Sequence, residues 1–237
     1  MLINATTAIS TSATLLVPYS THHVPKYHEW MQNEEIQQAT ASEPLTLDEE
    51  YSMQKSWRED GDKLTFIVCL PLSLPSSSSS DKSRVIVPEE TDAPERMLGD
   101  VNLFLRFDDE DEDSVVGELE LMIAEKQKQG KGFGRPALLA FLRYILSSQD
   151  VIVDEFLRAG NKQISKKEIS YFSVKIGKTN IRSIALFESL GFTKVTPEPN
   201  YFGEFELRRA DLNATNLEQM LDRFEVTGYQ ELEYSTE

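Results

Sequence analysis

The run Gln129-Gly130-Lys131-Gly132-Phe133-Gly134 stands between an apolar stretch ending at Ala124 and a helical pattern from Phe133 to Leu146. In that pattern Phe133, Leu138, Phe141, Leu142 and Ile145 share one face, and Pro136 is tolerated because it falls in the first turn. A strand, a glycine turn and a helix in succession converge free backbone N–H groups and the positive end of the helix dipole on one point, which will hold an anion. Glycine lets the backbone approach a pyrophosphate without a Cβ in the way, and Lys131 and Arg135 add positive charge. The alternative reading is an exposed glycine turn with no ligand.

Two nucleotide motifs compete for this segment. Gly132-Phe133-Gly134-Arg135-Pro136-Ala137 satisfies the dinucleotide pattern G-x-G-x-x-A, with Asp154 near the distance of a ribose-binding acid. In that fold the buried strand runs straight into the first glycine, whereas here the polar Glu125-Lys126-Gln127-Lys128-Gln129 intervenes. A P-loop fails because no Gly-Lys is followed by Ser or Thr.

The rest of the chain reads as alternating elements. Ala13 to Pro18 is a short strand and Val24 to Met31 a helix. Thr46-Leu47-Asp48-Glu49 has the form of a capping box and opens a helix to about Trp57, before a buried strand at Leu64 to Leu70. Met97 to Phe107 and Val115 to Ala124 read as strands joined by the acidic run Asp108 to Asp113, a solvated loop. Tyr171 to Ile176 is a strand, Asn180 to Leu190 a helix ended by Gly191, Tyr201 to Arg208 a late strand, and Leu212 to Phe224 weakly helical. At 237 residues the chain fits one domain spanning 1–237. Residues 71–96, rich in Pro, Ser and acidic side chains with the run Ser76 to Ser80, read as a low-complexity insertion with little to pack, apart from a stray strand at Arg84 to Val87. Residues 149–168 read as a further insertion, helical in part, and 211–237 as a C-terminal extension.

The spacing Gln129-x-x-Gly132-x-Gly134 resembles the acetyl-CoA motif Q/R-x-x-G-x-G/A of the GNAT superfamily of N-acetyltransferases. Asn180-Ile-Arg-Ser183-Ile-Ala-Leu-Phe-Glu-Ser-Leu-Gly191-Phe192 resembles the later N-x-x-S…L-G-F segment of the same superfamily, and the element order from Met97 to Arg208 matches its core. The segments Leu16 to Tyr19, His23 to Met31 and Thr40 to Thr46 resemble a branch of that superfamily close to the enzymes that acetylate protein N-termini. The resemblance implies an α/β fold with a central mixed, mostly antiparallel, twisted sheet, helices on both faces and a splayed pair of strands around the cofactor. It further implies acetyl-CoA as co-substrate, direct attack by an amine without a covalent enzyme intermediate, and a protein N-terminus as acceptor, that of tubulin among the candidates.

By the same resemblance the main chain of Met122, Ile123 and Ala124 pairs with the cofactor beside Gln129, Gly130, Lys131, Gly132, Phe133, Gly134 and Arg135. Asn180 and Ser183 are expected to touch cofactor or substrate, with helix capping the alternative for Asn180 and helical packing the alternative for Ser183. Ser183 is also a candidate acid for the leaving thiolate. Glu118 and Glu120 lie two apart on one strand and so share a face, and either could take the amine proton. Counting back from Gln129 places Glu118 where some GNAT enzymes carry a catalytic glutamate, which ranks it first. A solvated sheet face, or a site for a cationic N-terminus, is the alternative for both. Tyr19, Tyr171 and Tyr201 are further phenols without a motif.

His22, His23 and His28 show no metal spacing, so surface or capping roles are expected and no metal is. Cys69, the lone cysteine, sits in an apolar run as a buried strand residue and excludes an intrachain disulfide. A formal charge of −16 argues against nucleic acid and anionic membranes as partners and favours cationic substrates. With no leader-like segment or membrane-length apolar stretch, a cytoplasmic setting is expected. An acyl-CoA-binding scaffold without turnover and a small-amine acetyltransferase are the competing functions.

Overall fold

Apolar alternation along the central strands builds one nine-stranded sheet in the computed structural model, which describes residues 1–72 and 86–235. The strands are β1 (Thr7–Ser10), β2 (Leu15–Pro18), β3 (Lys63–Cys69), β4 (Met97–Phe107), β5 (Val115–Ile123), β6 (Ile169–Gly177), β7 (Thr193–Lys194), β8 (Glu204–Arg209) and β9 (Gln230–Glu233). They lie in the order β7-β8-β6-β5-β4-β3-β2-β1-β9, and β5–β6 is the one parallel pair among them. The helices are α1 (Val24–Met31), α2 (Glu34–Thr40), α3 (Leu47–Glu59), α4 (Gly134–Ser147), α5 (Gln149–Ala159), α6 (Ile181–Ser189) and α7 (Ala214–Arg223).

Strand alternation divides the apolar residues between two cores. Leu16, Phe66, Val68, Val101 and Leu103 pack with α4, α5, α6 and α7 on one face, while Leu15, Val17, Ile67 and Cys69 pack with α1 and α3 on the other. The expected capping box forms, with Thr46 N–H donating to Glu49 Oε2 at 2.8 Å and Glu49 N–H to Thr46 Oγ1 at 3.4 Å. No single helix among the described residues is long and apolar enough to cross a membrane.

The parallel pair positions the site. β5 and β6 pair at Val115↔Ile169, Gly117↔Phe172 and Glu118↔Ser173, and their pairing ends there. Beyond that point β5 stays with β4 as far as Ile123↔Gly99, and β6 stays with β8 as far as Gly177↔Glu204, so the two strands part. A Cβ on Gly99 would fall 1.8 Å from the Met122 carbonyl oxygen, so the close approach of backbones where β5 turns away excludes any side chain there.

Several elements differ from the sequence-based expectations. β1, β9 and α2 are additional, being short and polar enough to leave no periodic signal. The 149–168 stretch is α5 followed by a loop, and α5 sends Ile152, Val153, Phe156 and Leu157 into the core. Within 211–237, α7 buries Leu217 and Leu221, and β9 pairs along β1. The Ser76 to Ser80 run and the start of the strand expected at Arg84 to Val87 lie outside the described residues, and Ile86 and Val87 carry no strand.

The reading of 71–96 as a segment with little to pack does not hold for its last part. Ile86 is buried, and Asp92 is fully buried with its Oδ2 accepting from Tyr234 Oη at 2.6 Å and lying 3.1 Å from both His22 Nε2 and His23 Nε2. Its Oδ1 accepts from the Glu89 N–H at 2.6 Å. The carboxylate thus ties the insertion to the segment before α1 and to the residue after β9. Despite burial, these donors hold its pKa far below the usual carboxylate range. Its stabilising contribution is therefore present above about pH 4, the unfolded value, and is lost as pH falls below that. Asp92→Ala strands several buried donors at once, and we expect a loss of about 3 kcal/mol or more at neutral pH. Urea denaturation measures it, and a change under about 0.5 kcal/mol would remove the clamp from the account.

Candidate active site

Gly130 and Gly132 hold φ of +68° and +88°, left-handed values that permit the turn between β5 and α4. α4 begins at Gly134 without a side-chain cap. Among the described residues the N–H groups of Gly132, Phe133, Gly134 and Arg135 meet no protein acceptor. They open into a cleft of about 680 Å³ lined by Gln129, Gly130, Gly132, Phe133, Gly134 and Arg135, the end of β5, and Asn180 and Ser183 of the β6–α6 turn.

Ala124 gives its N–H to the Leu98 carbonyl of β4 at 2.8 Å. Strand alternation turns Met122 the same way and Ile123 the opposite way, into the gap left by β6. The Ile123 carbonyl there accepts from Gln129 Nε2 at 2.8 Å, so Gln129 braces the turn against β5. Of the main-chain groups assigned to the cofactor by resemblance, those of Ile123 face the gap, and the Ala124 N–H is used within the sheet.

The positive charge around the turn is distributed differently from the sequence reading. Lys131 is not among the residues lining the cleft. Arg135 lines it, but its guanidinium lies over the Phe224 ring at 4.3 Å and donates to Ser189 Oγ at 3.2 Å, a tie between α4, α6 and the end of α7. Lys126, Lys128 and Arg182 line the cleft instead, with Lys126 paired to Glu35 at 2.9 Å. The Arg182 guanidinium comes within 3.8 Å of where a Gly130 Cβ would lie. Asn33, Ile36, Ala39 and Thr40 of the α2 region form the opposite wall. The signal for α2 was its start: Asn33 caps it by accepting from Glu35 N–H at 2.8 Å, with Glu34 and Glu35 in the first turn.

A second pocket of about 360 Å³ adjoins the first and shares Ala39, Thr40, Leu121, Met122, Asn180 and Ser183 with it. It is lined by Asp100, Glu118, Glu120 and Glu204, with Tyr27, Trp57 and Phe104 among its walls. Glu118 and Glu120 share a face, as strand parity requires, but differ in surroundings. Glu118 is paired with Lys175 at 2.8 Å. Glu120 has no ion-pair partner within 4.0 Å among the described residues, and its carboxylate stands open to the pocket while protein packs around it. That crowding, with the negative charges of Asp100 and Glu118 beside it, pushes its pKa up to about 7. The two carboxylates thus differ in surroundings, Glu118 being held in an ion pair while Glu120 has none among the described residues. Asn180 caps α6 by accepting from Ser183 N–H at 3.2 Å while also lining both pockets.

The remaining groups line neither pocket. Tyr19 is fully buried, Tyr171 is drawn to Asp108 and Arg208, and Tyr201 is almost fully exposed. Burial raises the Cys69 thiol far above its ordinary pKa, in keeping with a strand residue. His22, His23 and Asp92 come close enough together to suggest a metal site. The Ser20 N–H, however, donates to His23 Nδ1 at 3.0 Å, which leaves the ring proton on Nε2 facing Asp92. In this arrangement His23 Nε2 donates to the Asp92 carboxylate.

Comparison with known proteins agrees with this geometry. An "N-acetyltransferase 9-like protein" of Schizosaccharomyces pombe is 43% identical over 87% of this chain and 97% of its own. The "Alpha/beta-tubulin-N-acetyltransferase 9" proteins of Drosophila melanogaster and Homo sapiens are 42% and 40% identical, each over 88% of this chain and over 89% and 85% of their own. Among solved structures, a spermidine N-acetyltransferase from Vibrio cholerae in complex with CoA and spermine superposes with a TM-score of 0.54 at 16% identity, covering 83% of this chain and 94% of that one. Residues 14–193 match the acetyltransferase (GNAT) domain, and the chain belongs to the GNAT acetyltransferase family.

Proposed function

We propose that this acyltransferase moves the acetyl group of acetyl-CoA to the N-terminal α-amino group of a protein, and that tubulin, named in its relatives, is an acceptor. The observation that carries the reading is the junction at the β5–β6 splay, where a cleft lined by open N–H donors meets an acidic pocket. The cleft suits acetyl-CoA: it offers unpartnered N–H groups and the Lys128 and Arg182 cations for phosphate, and the apolar Leu121 and Leu186 for a slender arm. Acetyl-CoA supplies a thioester open to attack by an uncharged amine. Ile123 presents its N–H to the gap, where it can donate to a carbonyl oxygen gaining negative charge. Glu120, with a pKa of about 7, can take a proton from an ammonium and leave the neutral amine. Ser183 and Asn180 border both pockets and are placed to orient the reacting groups. Protein acceptors are favoured by the relatives' names, and the cytoplasm, where Cys69 stays a thiol, is the setting we propose.

The purified protein should acetylate peptides with tubulin N-termini faster than it acetylates spermidine, judged by kcat/KM with acetyl-CoA at saturation. Faster turnover of the polyamine would overturn the protein-acceptor reading. Binding of acetyl-CoA without turnover of any amine would favour a scaffold.

A further inference from the structure

Asp100 lies on β4 beside the acidic pocket and is 2% exposed. Its Oδ2 accepts from Asn102 Nδ2 at 2.8 Å and from Tyr27 Oη at 3.3 Å, whereas its buried Oδ1 has no partner among the described residues. A buried carboxylate oxygen left unpaired is costly, so it marks a place where a donor from outside the chain belongs. Among the described residues no cation lies within ion-pair distance of it. Lys175 is held by Glu118, and the Lys63 Nζ is held against aromatic rings, 3.4 Å from the Trp57 ring centre and 4.3 Å from that of Phe104, outside ion-pair contact with Asp100. The groups facing Asp100 are Tyr27 from α1, Tyr19 after β2, Lys63 from β3, Asn102 on its own strand and Glu120 from β5.

We infer that Asp100 is the recognition site for the acceptor's charged amino group, with Oδ1 accepting from the incoming ammonium before Glu120 takes its proton. This deepens the proposed function by assigning recognition and proton removal to different carboxylates. It makes the pocket selective for an acceptor that arrives charged.

Burial pushes the Asp100 carboxyl up to about 6, with Asn102, Tyr27 and Lys63 opposing the rise. Acceptor affinity should therefore be full above that pH and fall as Asp100 takes up a proton below it. Tyr27→Phe removes a hydrogen bond to the charged form and should move this fall to higher pH.

The test is calorimetry on CoA-loaded protein, which needs no turnover, using a peptide with a tubulin N-terminus and its analogue carrying hydroxyl in place of the α-amine. Wild-type protein should bind the amine peptide about 10-fold or more tighter than the hydroxyl analogue, and Asp100→Asn should remove most of that difference while CoA affinity stays unchanged. Equal preference in wild type and folded Asp100→Asn would overturn the inference. If Asp100→Asn does not fold, the pH dependence of amine-peptide binding in Tyr27→Phe decides, an unshifted profile counting against Asp100. Discrimination by Asp100 with no acetylation of any amine would instead break the proposed function and leave the recognition site standing.

Discussion

Gly132→Glu is expected to leave a folded protein whose affinity for acetyl-CoA is lower by about 100-fold or more. No atom lies within 4 Å of where a Gly132 Cβ would stand, so the side chain meets no clash and the fold need not shift. The cost has two other sources. Gly132 holds φ of +88°, a value that L residues rarely adopt, which strains any substitution by about 1 kcal/mol or more. The larger effect is electrostatic, because the new carboxylate enters the space faced by the unpartnered N–H groups of Gly132 to Arg135 and supplies the anion they are arranged to receive. Gly132→Ala carries the backbone strain without the charge and should lose far less. Calorimetry with acetyl-CoA on the folded variants separates the two, and unchanged affinity in Gly132→Glu would remove the turn as the phosphate site.

The turn was legible because local sequence dictates it: glycines at left-handed positions, a helix that starts without a side-chain cap, and an apolar stripe that commits α4 to the core. Asn180 was legible for the same reason, since a cap acts within one turn of its helix. What sequence left hidden depends on partners distant in the chain. Arg182 takes the place expected for Lys131 because the parallel pairing of β6 with β5 sets α6, which follows β6, beside the turn that follows β5, a relation with no local signature. Asp92 looked like one more acidic residue in a loose segment, and only the arrival of His23 and Tyr234, 69 and 142 residues away, makes it a buried clamp. β1 and β9 stabilise each other across almost the whole chain, so neither short strand reads as one alone. Parity on β5 correctly paired Glu118 with Glu120, yet parity cannot see that Lys175 on β6 reaches only the first of them.

Glu120→Gln is expected to lower kcat by roughly 100-fold or more near neutral pH, with acetyl-CoA affinity little changed. Glutamine keeps the shape and removes the proton acceptor. In the wild-type protein Glu120 must be ionised to act, so with its pKa at about 7 the rate should rise with pH through that value and level off above it. Glu120→Gln should abolish this limb of the profile. Glu118→Gln provides the discriminating comparison. Its removal frees Lys175 and withdraws a negative charge that helps raise the Glu120 pKa, so the limb should persist and move to lower pH, with the plateau rate reduced by no more than about threefold. Single-turnover rates across pH 5.5 to 9, a span of roughly two units about the Glu120 value, keep product release out of the comparison. Loss of the limb in Glu118→Gln alone would restore Glu118 as the base and make Glu120 a spectator. Full single-turnover rates in both single variants and in the double variant would remove the strand carboxylates from proton transfer altogether, leaving water or another group to carry it.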